Sequence, residues 1–264
     1  MTQPILVVNV GSVNTVFGLF TDGELSHTWR IETRPMRSAD EYLIWLERVL
    51  KREGLDAESI SHTIVSCAHA EMLRSLQHAI VRFFGHEPLV MKAGLKTGIQ
   101  IQTSRHDDFN ADRVANMVAA CERDFTPCLI VDLGAVTRID VLGENKKHLG
   151  SVVTLGVQKS LDTLTTFSHA YPDAAIDKPA NVVGRYAADA VQSGAYYGTL
   201  SMLEGLTDKI LCEIKAHEKL SAEPKIIATG GYAKALGAHT DLFDEVIPSL
   251  TLEGLYAIAR RNIK

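Results

Sequence analysis

An acidic and a basic residue stand side by side at the start of an Ala-rich stretch, as Asp112 and Arg113 within residues 111–120. The composition predicts a helix with both residues in its first turn. An aspartate there can simply cap free N–H groups and complement the helix dipole. Capping does not explain the arginine, because a cation at a helix N-terminus is mildly unfavourable. The alternative is a carboxylate general base beside an anion-binding guanidinium. The spacing leaves both interpretations open.

Two polar turns of similar sequence could bind phosphate. The first is Asn-Val-Gly-Ser-Val-Asn-Thr-Val at 9–16, and the second is Asp-Leu-Gly-Ala-Val-Thr at 132–137. Each lies between apolar runs rich in β-branched residues, a pattern typical of a buried hairpin. Successive backbone N–H groups at such a tip form a concave nest for phosphate. A core hairpin with a polar turn is the simpler alternative.

The repetition of this hairpin indicates how the chain is organised. Copies so far apart in the chain are not solenoid repeats, and they predict two similar α/β halves that each open with a hairpin. Chance similarity between two buried hairpins is the alternative. Thr126-Pro127 marks the boundary, so the predicted lobes are residues 1–125 and 126–264.

Several further elements are predicted from local signals. Ser38 and Glu41 form a capping box before a helix that stops at Gly54. A long helix is expected over 186–206, with a second amphipathic stretch to about residue 220. The sequence of residues 224–233 predicts a strand, a turn with paired glycines and a helix. Paired glycines let a ligand lie against the backbone at a strand's carboxyl end.

Bulk properties exclude some classes of partner. The 264-residue chain is 46% apolar and 22% charged, as in an ordinary globular protein, and its formal net charge is −5. That charge gives no reason to expect nucleic acid or an acidic membrane surface. No apolar run reaches bilayer-spanning length, and residues 1–20 lack signal-peptide features, so we expect a cytoplasmic protein. The four scattered cysteines are interpreted as buried small apolar residues.

Together, the two hairpin turns and the late Thr-Gly-Gly element resemble the actin-like ATPase fold, an α/β fold with two similar ribonuclease-H-like lobes. Within that fold, the chain resembles the type III pantothenate kinase family along nearly its whole length. The motifs that carry the resemblance occur in the family's order, at residues 9–18, 38–42, 96–98, 110–113, 132–137, 192–198 and 228–231.

This resemblance implies ATP-dependent phosphorylation of pantothenate to 4'-phosphopantothenate, the first step of coenzyme A biosynthesis. It also implies Mg²⁺, a monovalent cation (K⁺ or NH₄⁺) and a homodimer. Asp112 would be the catalytic base and Arg113 would bind the pantothenate carboxylate, with Asn110, Ala111 and Ala187 also at the substrate. Asp132 would ligate the monovalent cation. The residues implied at ATP are Asn9, Val10, Gly11, Ser12, Val13, Asn14, Thr15, Val16, Ala135, Gly230 and Gly231.

The chain also departs from the family pattern at positions that matter for the chemistry. Asn9 replaces an aspartate, and an amide cannot bring negative charge to Mg²⁺. Hydroxyls are lost at Val13, Ala135 and Ala187, and Arg138 adds a bulky cation that could bind phosphate or block the cation site. Asn110 replaces a glycine and Thr103 a tyrosine.

Losing one preorganised polar contact often costs 10²–10³ in rate. A weakened paralogue that binds nucleotide or a partner, as a regulator or mixed-dimer subunit, is therefore the main alternative. A kinase for another small hydroxylated acid is a third.

Overall fold

A computed structural model describes residues 3–101, 111–168 and 171–263. The chain forms two compact units. The first comprises Met1–Gly98, Thr103–Glu122 and Leu250–Lys264, and the second comprises Ile99–Gln102 and Arg123–Ser249. These units differ from the predicted segments 1–125 and 126–264 because the last helix packs on the first unit.

The first unit is built on a five-stranded sheet in the order β3-β2-β1-β4-β5. Strands β1, β2 and β3 are antiparallel, whereas β4 and β5 continue parallel to β1. The bounds are β1 Ile5–Val10, β2 Asn14–Thr21, β3 Glu24–Glu32, β4 His62–Cys67 and β5 Leu89–Val90. The helices of this unit are α1 Ala39–Glu53, α2 Ala70–Phe84, α3 Ala111–Glu122 and α7 Leu250–Asn262.

Alternation along β2 separates the two faces of this sheet. Phe17 and Leu19 join the core formed with α1 and α2. On the other face, Phe20 stacks on Tyr256 of α7 with ring centroids 4.2 Å apart. The predicted capping box of α1 is confirmed, because the Ser38 hydroxyl accepts from the Glu41 N–H and the Glu41 carboxylate accepts from the Ser38 N–H.

The second unit repeats this topology with one additional strand. Its order is β11-β10-β7-β8-β9-β6, with β7, β8 and β9 antiparallel and β10 and β11 parallel to β7. The short β6 pairs in parallel with β9. The bounds are β6 Gln100–Ile101, β7 Cys128–Leu133, β8 Val136–Leu142, β9 Lys147–Leu155, β10 Lys225–Thr229 and β11 Glu245–Val246. The predicted α/β fold of two similar ribonuclease-H-like lobes is therefore confirmed.

Helices α4 (Val157–Phe167), α5 (Ala187–His217) and α6 (Ala233–Gly237) complete the second unit. Its core joins α4 and α5 to one face of the sheet through Leu129, Val131 and Ile139.

Helix α5 differs from the sequence-based expectation in two respects. It is a single helix that spans both predicted stretches, and the Thr207 hydroxyl within it donates back to the Leu203 carbonyl at 2.8 Å. Its Cys212 is exposed and not buried. In the described ranges, no helix is both long and apolar enough to span a membrane.

Candidate active site

The first phosphate turn is a tight connection between β1 and β2. The Gly11 N–H donates to the Asn14 carbonyl at 3.1 Å, and the Thr33 N–H from the end of β3 donates to the Val13 carbonyl at 2.9 Å. Ser12 and Val13 are exposed at the tip, whereas Thr15 behind them is fully buried. The hairpin prediction is confirmed, and the turn presents an exposed tip above a hydrogen-bonded, buried base.

Asn9 lies one residue before the end of β1, beside Val16 on β2 and Ser66 on β4. Its Oδ1 atom is buried and has no hydrogen-bond partner in the part of the chain that the structure describes. A buried acceptor without a donor is costly, so this oxygen is suited to a ligand group. It is neutral, however, and Mg²⁺ favours carboxylate oxygens. Among the described residues, no group of three or more His, Cys, Asp or Glu side chains could hold a metal ion.

The acidic–basic pair lies where the sequence predicted it, in the first turn of α3. The Asp112 Oδ1 atom accepts the Arg113 backbone N–H at 2.8 Å, so the carboxylate is oriented at the helix N-terminus. This contact satisfies one free helix N–H, as the capping interpretation requires, and is also compatible with a base. Ala111 opens the helix. Asn110 and Thr103 lie outside the described residues.

Helix α7 determines where α3 lies in the first unit. The two helices cross at Gly254, where an added Cβ would overlap the backbone carbonyl of Ala115. Beside the crossing, the Thr251 hydroxyl donates to Asn116 Oδ1 at 2.7 Å, and Asn116 is buried. The Ala115 carbonyl is one turn from Asp112, so this crossing sets the position of the carboxylate.

The end of α7 also holds the Lys96-Thr97-Gly98 motif. Asn262 Oδ1 accepts the Lys96 N–H at 2.9 Å, and its Nδ2 donates to the Lys96 carbonyl at 3.1 Å. Arg261 donates to the Thr97 carbonyl and pairs with Glu122 at the end of α3. Gly98 has φ +75°, and a Cβ there would lie 2.5 Å from Arg261 Nη1. Helix α7 therefore ties this motif to α3.

Three glycines bring the backbone together around the second phosphate turn. The Gly156 N–H donates to the Ala135 carbonyl at 3.2 Å, and a Cβ on Gly156 would lie 2.6 Å from that oxygen. Gly230 has φ +95°, and its Cβ would lie 2.6 Å from Asp132 Oδ1. A Cβ on Gly134 would also lie close, at 3.5 Å from the same oxygen. The structure thus assembles Asp132, Ala135 and Gly230 into one site.

Two other predicted site residues have more open surroundings. A Cβ on Gly231 would meet no described atom within 4 Å, which leaves room above the backbone. Ala187 is the exposed first residue of α5. It belongs to the second unit, whereas Asp112 belongs to the first.

Sequence reasoning missed Gly254, Gly156, Arg261 and Asn262 as supporting residues. The available signals were weak, since Gly254 and Gly156 are single glycines beside or within helical patterns. The contacts of Arg261 and Asn262 join residues distant in the sequence.

The duplicated strand order, with a glycine turn between the first two strands of each unit, defines an actin-like ATPase fold. The chain belongs to the type III pantothenate kinase family, whose model matches residues 5–209. The match ends before β10, the paired glycines and α7.

Solved structures support the fold. A protein described as a conserved Baf-family transcriptional activator from Campylobacter jejuni is 15% identical, with a TM-score of 0.58 and 97% coverage of both chains. A protein described as a 2-dehydro-3-deoxygalactonokinase from Sinorhizobium meliloti is 14% identical, with a TM-score of 0.57 and coverage of 98% of this chain and 96% of that one. Component A of (R)-2-hydroxyglutaryl-CoA dehydratase from Acidaminococcus fermentans is 11% identical, with a TM-score of 0.52 and coverage of 98% and 99%. At these identities the similarity concerns the fold alone.

Proposed function

We propose that this protein is an ATP-dependent kinase that phosphorylates the primary hydroxyl of pantothenate, with turnover reduced by the substitutions in its phosphate turns. Family membership supports the reaction class. The observation that carries the proposal is the Asp112 carboxylate, oriented at the start of α3 by the Arg113 N–H. A kinase that acts on a hydroxy acid needs a base to take the hydroxyl proton and a cationic group to bind the carboxylate, and Asp112 and Arg113 provide these two groups.

In the proposed reaction, Asp112 takes the proton of the attacking hydroxyl and the Arg113 guanidinium pairs with the pantothenate carboxylate. Asn110, Ala111 and Ala187 are proposed to contact the same substrate. Phosphoryl transfer needs mainly positioning and charge neutralisation, with little covalent chemistry from the protein. The close packing of α3 against α7 supports this assignment, because it places Asp112 on a buried helix with a fixed position.

For the nucleotide, we propose the residues of both turns, 9–16 and Ala135, together with Gly230 and Gly231. The exposed tip of the first turn and the open space above Gly231 support this assignment. Magnesium would arrive with the ATP phosphates, and the Asn9 amide oxygen would offer it one neutral ligand. That donor is compatible with Mg²⁺ but adds no negative charge.

We also propose that the protein acts as a homodimer on these small molecules, in the cytoplasm, without nucleic acid or a membrane as partner. An apolar groove of about 610 Å³ between α4 and α5 supports self-association. Beside it, Leu155 is 58% exposed and Phe167 is 85% exposed. Exposed apolar surface of this kind is typical of an interaction site.

A second candidate function is a nucleotide-binding paralogue with little or no turnover, acting as a regulatory or mixed-dimer subunit. The neutral Asn9 amide oxygen favours it, because the family's carboxylate is missing at the first phosphate turn.

The test is coupled ADP release from Mg-ATP and pantothenate, comparing wild type with Asp112→Asn. We expect the substitution to lower turnover by about 10²–10⁴-fold, the usual contribution of a general base. Asp208→Asn, on the exposed surface of α5, is the matched control and should retain wild-type turnover.

If neither the wild type nor Asp112→Asn turns over but calorimetry detects Mg-ATP binding, the second candidate replaces the first. Equal turnover in the wild type and Asp112→Asn would refute the role of the base.

A further inference from the structure

A buried arginine lies beside the carboxylate of the second phosphate turn. Arg138 on β8 is only 7% exposed and stands directly opposite Asp132 in the antiparallel pairing of β7 with β8. Directly opposed residues point to the same face of a sheet, with Cβ atoms about 4.5–5.5 Å apart. The guanidinium therefore lies within reach of the Asp132 carboxylate.

Other polar groups share this face of the second sheet. Asp140 follows Arg138 by two residues on β8 and is 2% exposed, and His148 Nε2 lies 3.4 Å from its Oδ1. Asp140 has His148 beside it as a partner of its own, whereas the cross-strand position of Arg138 faces Asp132. A buried arginine is tolerated when carboxylates compensate its charge in this way.

The same geometry tests whether the site suits a monovalent cation. On the other side of Asp132, Thr229 of β10 is its register partner, and Thr229 Oγ1 is buried with no hydrogen-bond partner among residues 3–101, 111–168 and 171–263. These two residues could offer oxygen ligands. However, the register places a guanidinium opposite Asp132, and its positive charge would repel a second cation on the same carboxylate. The residues present therefore do not fit K⁺ or NH₄⁺ at Asp132.

We propose that the Arg138 guanidinium takes the place of the monovalent cation at the second phosphate turn. It neutralises Asp132 permanently, so this protein binds nucleotide without K⁺ or NH₄⁺. The nucleotide part of the proposal rests on the proposed function, whereas the replacement of the cation concerns the free protein and can be tested without nucleotide.

The experiment compares wild type, Arg138→Thr and Arg138→Lys in KCl and in choline chloride at equal ionic strength. Thermal unfolding is followed without nucleotide, and Mg-ATP binding is followed by calorimetry. For wild type we expect the same melting temperature and the same dissociation constant in both salts. Arg138→Thr leaves Asp132 open to a cation, so K⁺ should raise its melting temperature by about 3 °C or more and tighten ATP binding about tenfold.

Arg138→Lys retains the charge and should behave like wild type. A wild-type melting temperature that rises specifically with K⁺ would overturn the proposal, and this readout does not depend on the stability of any variant. A folded Arg138→Thr variant that ignores K⁺ would also overturn it. If no variant binds ATP in either salt, the proposed function fails, while the nucleotide-free melting data still decide the role of Arg138.

Discussion

Replacing Gly254 with alanine tests whether α7 fixes the position of the proposed catalytic base. The new methyl group would overlap the Ala115 carbonyl oxygen, so α3 and α7 would have to separate. The backbone of α7 fixes the position of the methyl group and the oxygen belongs to the backbone of α3, so no side-chain rotation can relieve the clash. We therefore place the cost at the upper end of the overpacking range, about 3 kcal/mol.

Part of that cost is offset, because alanine is more favourable than glycine in a helix by about 1 kcal/mol. The net loss of unfolding free energy is then about 2 kcal/mol, or about 4–8 °C in melting temperature for a chain of this size. Activity should fall further than stability. A shift of about 1 Å in a catalytic group can cost 10²-fold in rate, and Asp112 lies one turn from the crossing.

Thermal unfolding and coupled ADP release measure the two effects separately. Gly205→Ala is the matched control, since a Cβ on Gly205 in α5 would meet no described atom within 4 Å. It should stabilise the protein by up to about 1 kcal/mol and leave turnover unchanged. A Gly254→Ala variant as stable as wild type would refute the close crossing. A destabilised variant with normal turnover would refute the link between α7 and the base.

Two further perturbations address other parts of the first unit. Arg261→Ala removes the bonds to the Thr97 carbonyl and to Glu122 at the end of α3, so we expect a loss of about 1 kcal/mol in stability. The KM for pantothenate should also rise, because α3 carries Arg113, the proposed carboxylate-binding residue. The exposed Arg260→Ala is the control, and equal KM values would contradict a positioning role for Arg261. Burial lowers the pKa of His86 in the folded protein. As the pH falls below about 6.5, His86 is protonated in the unfolded chain before it is protonated in the folded one, so the free energy of unfolding decreases. Urea midpoints at pH 7.5 and 5.5 should differ less for His86→Gln than for wild type, and equal differences would show that His86 makes no contribution.

The elements that could be predicted from the sequence are those specified by neighbouring residues. The hairpin turn at Gly11 and the capping box at Ser38 involve residues a few positions apart, so propensity and spacing suffice. The prediction described α5 as two consecutive helical stretches, because the sequence alone does not show whether one helix continues through Thr207.

The supporting structure of the proposed base could not be predicted, because it depends on pairs far apart in the sequence. The periodicity of α7 predicts a helix near the chain end, but nothing local says which sheet it covers or that Gly254 meets Ala115. Similarly, the sequence shows that Arg138 is unusual, whereas its burial and its position opposite Asp132 require the pairing of β7 with β8.

The departures from the family pattern at the two phosphate turns both make the local charge more positive. Asn9 removes a negative charge relative to the family pattern, and Arg138 adds a positive one. Each change makes its own turn less dependent on a bound cation, because less negative protein charge remains there to be neutralised. Retained nucleotide binding therefore accounts for both charge changes in the same electrostatic terms.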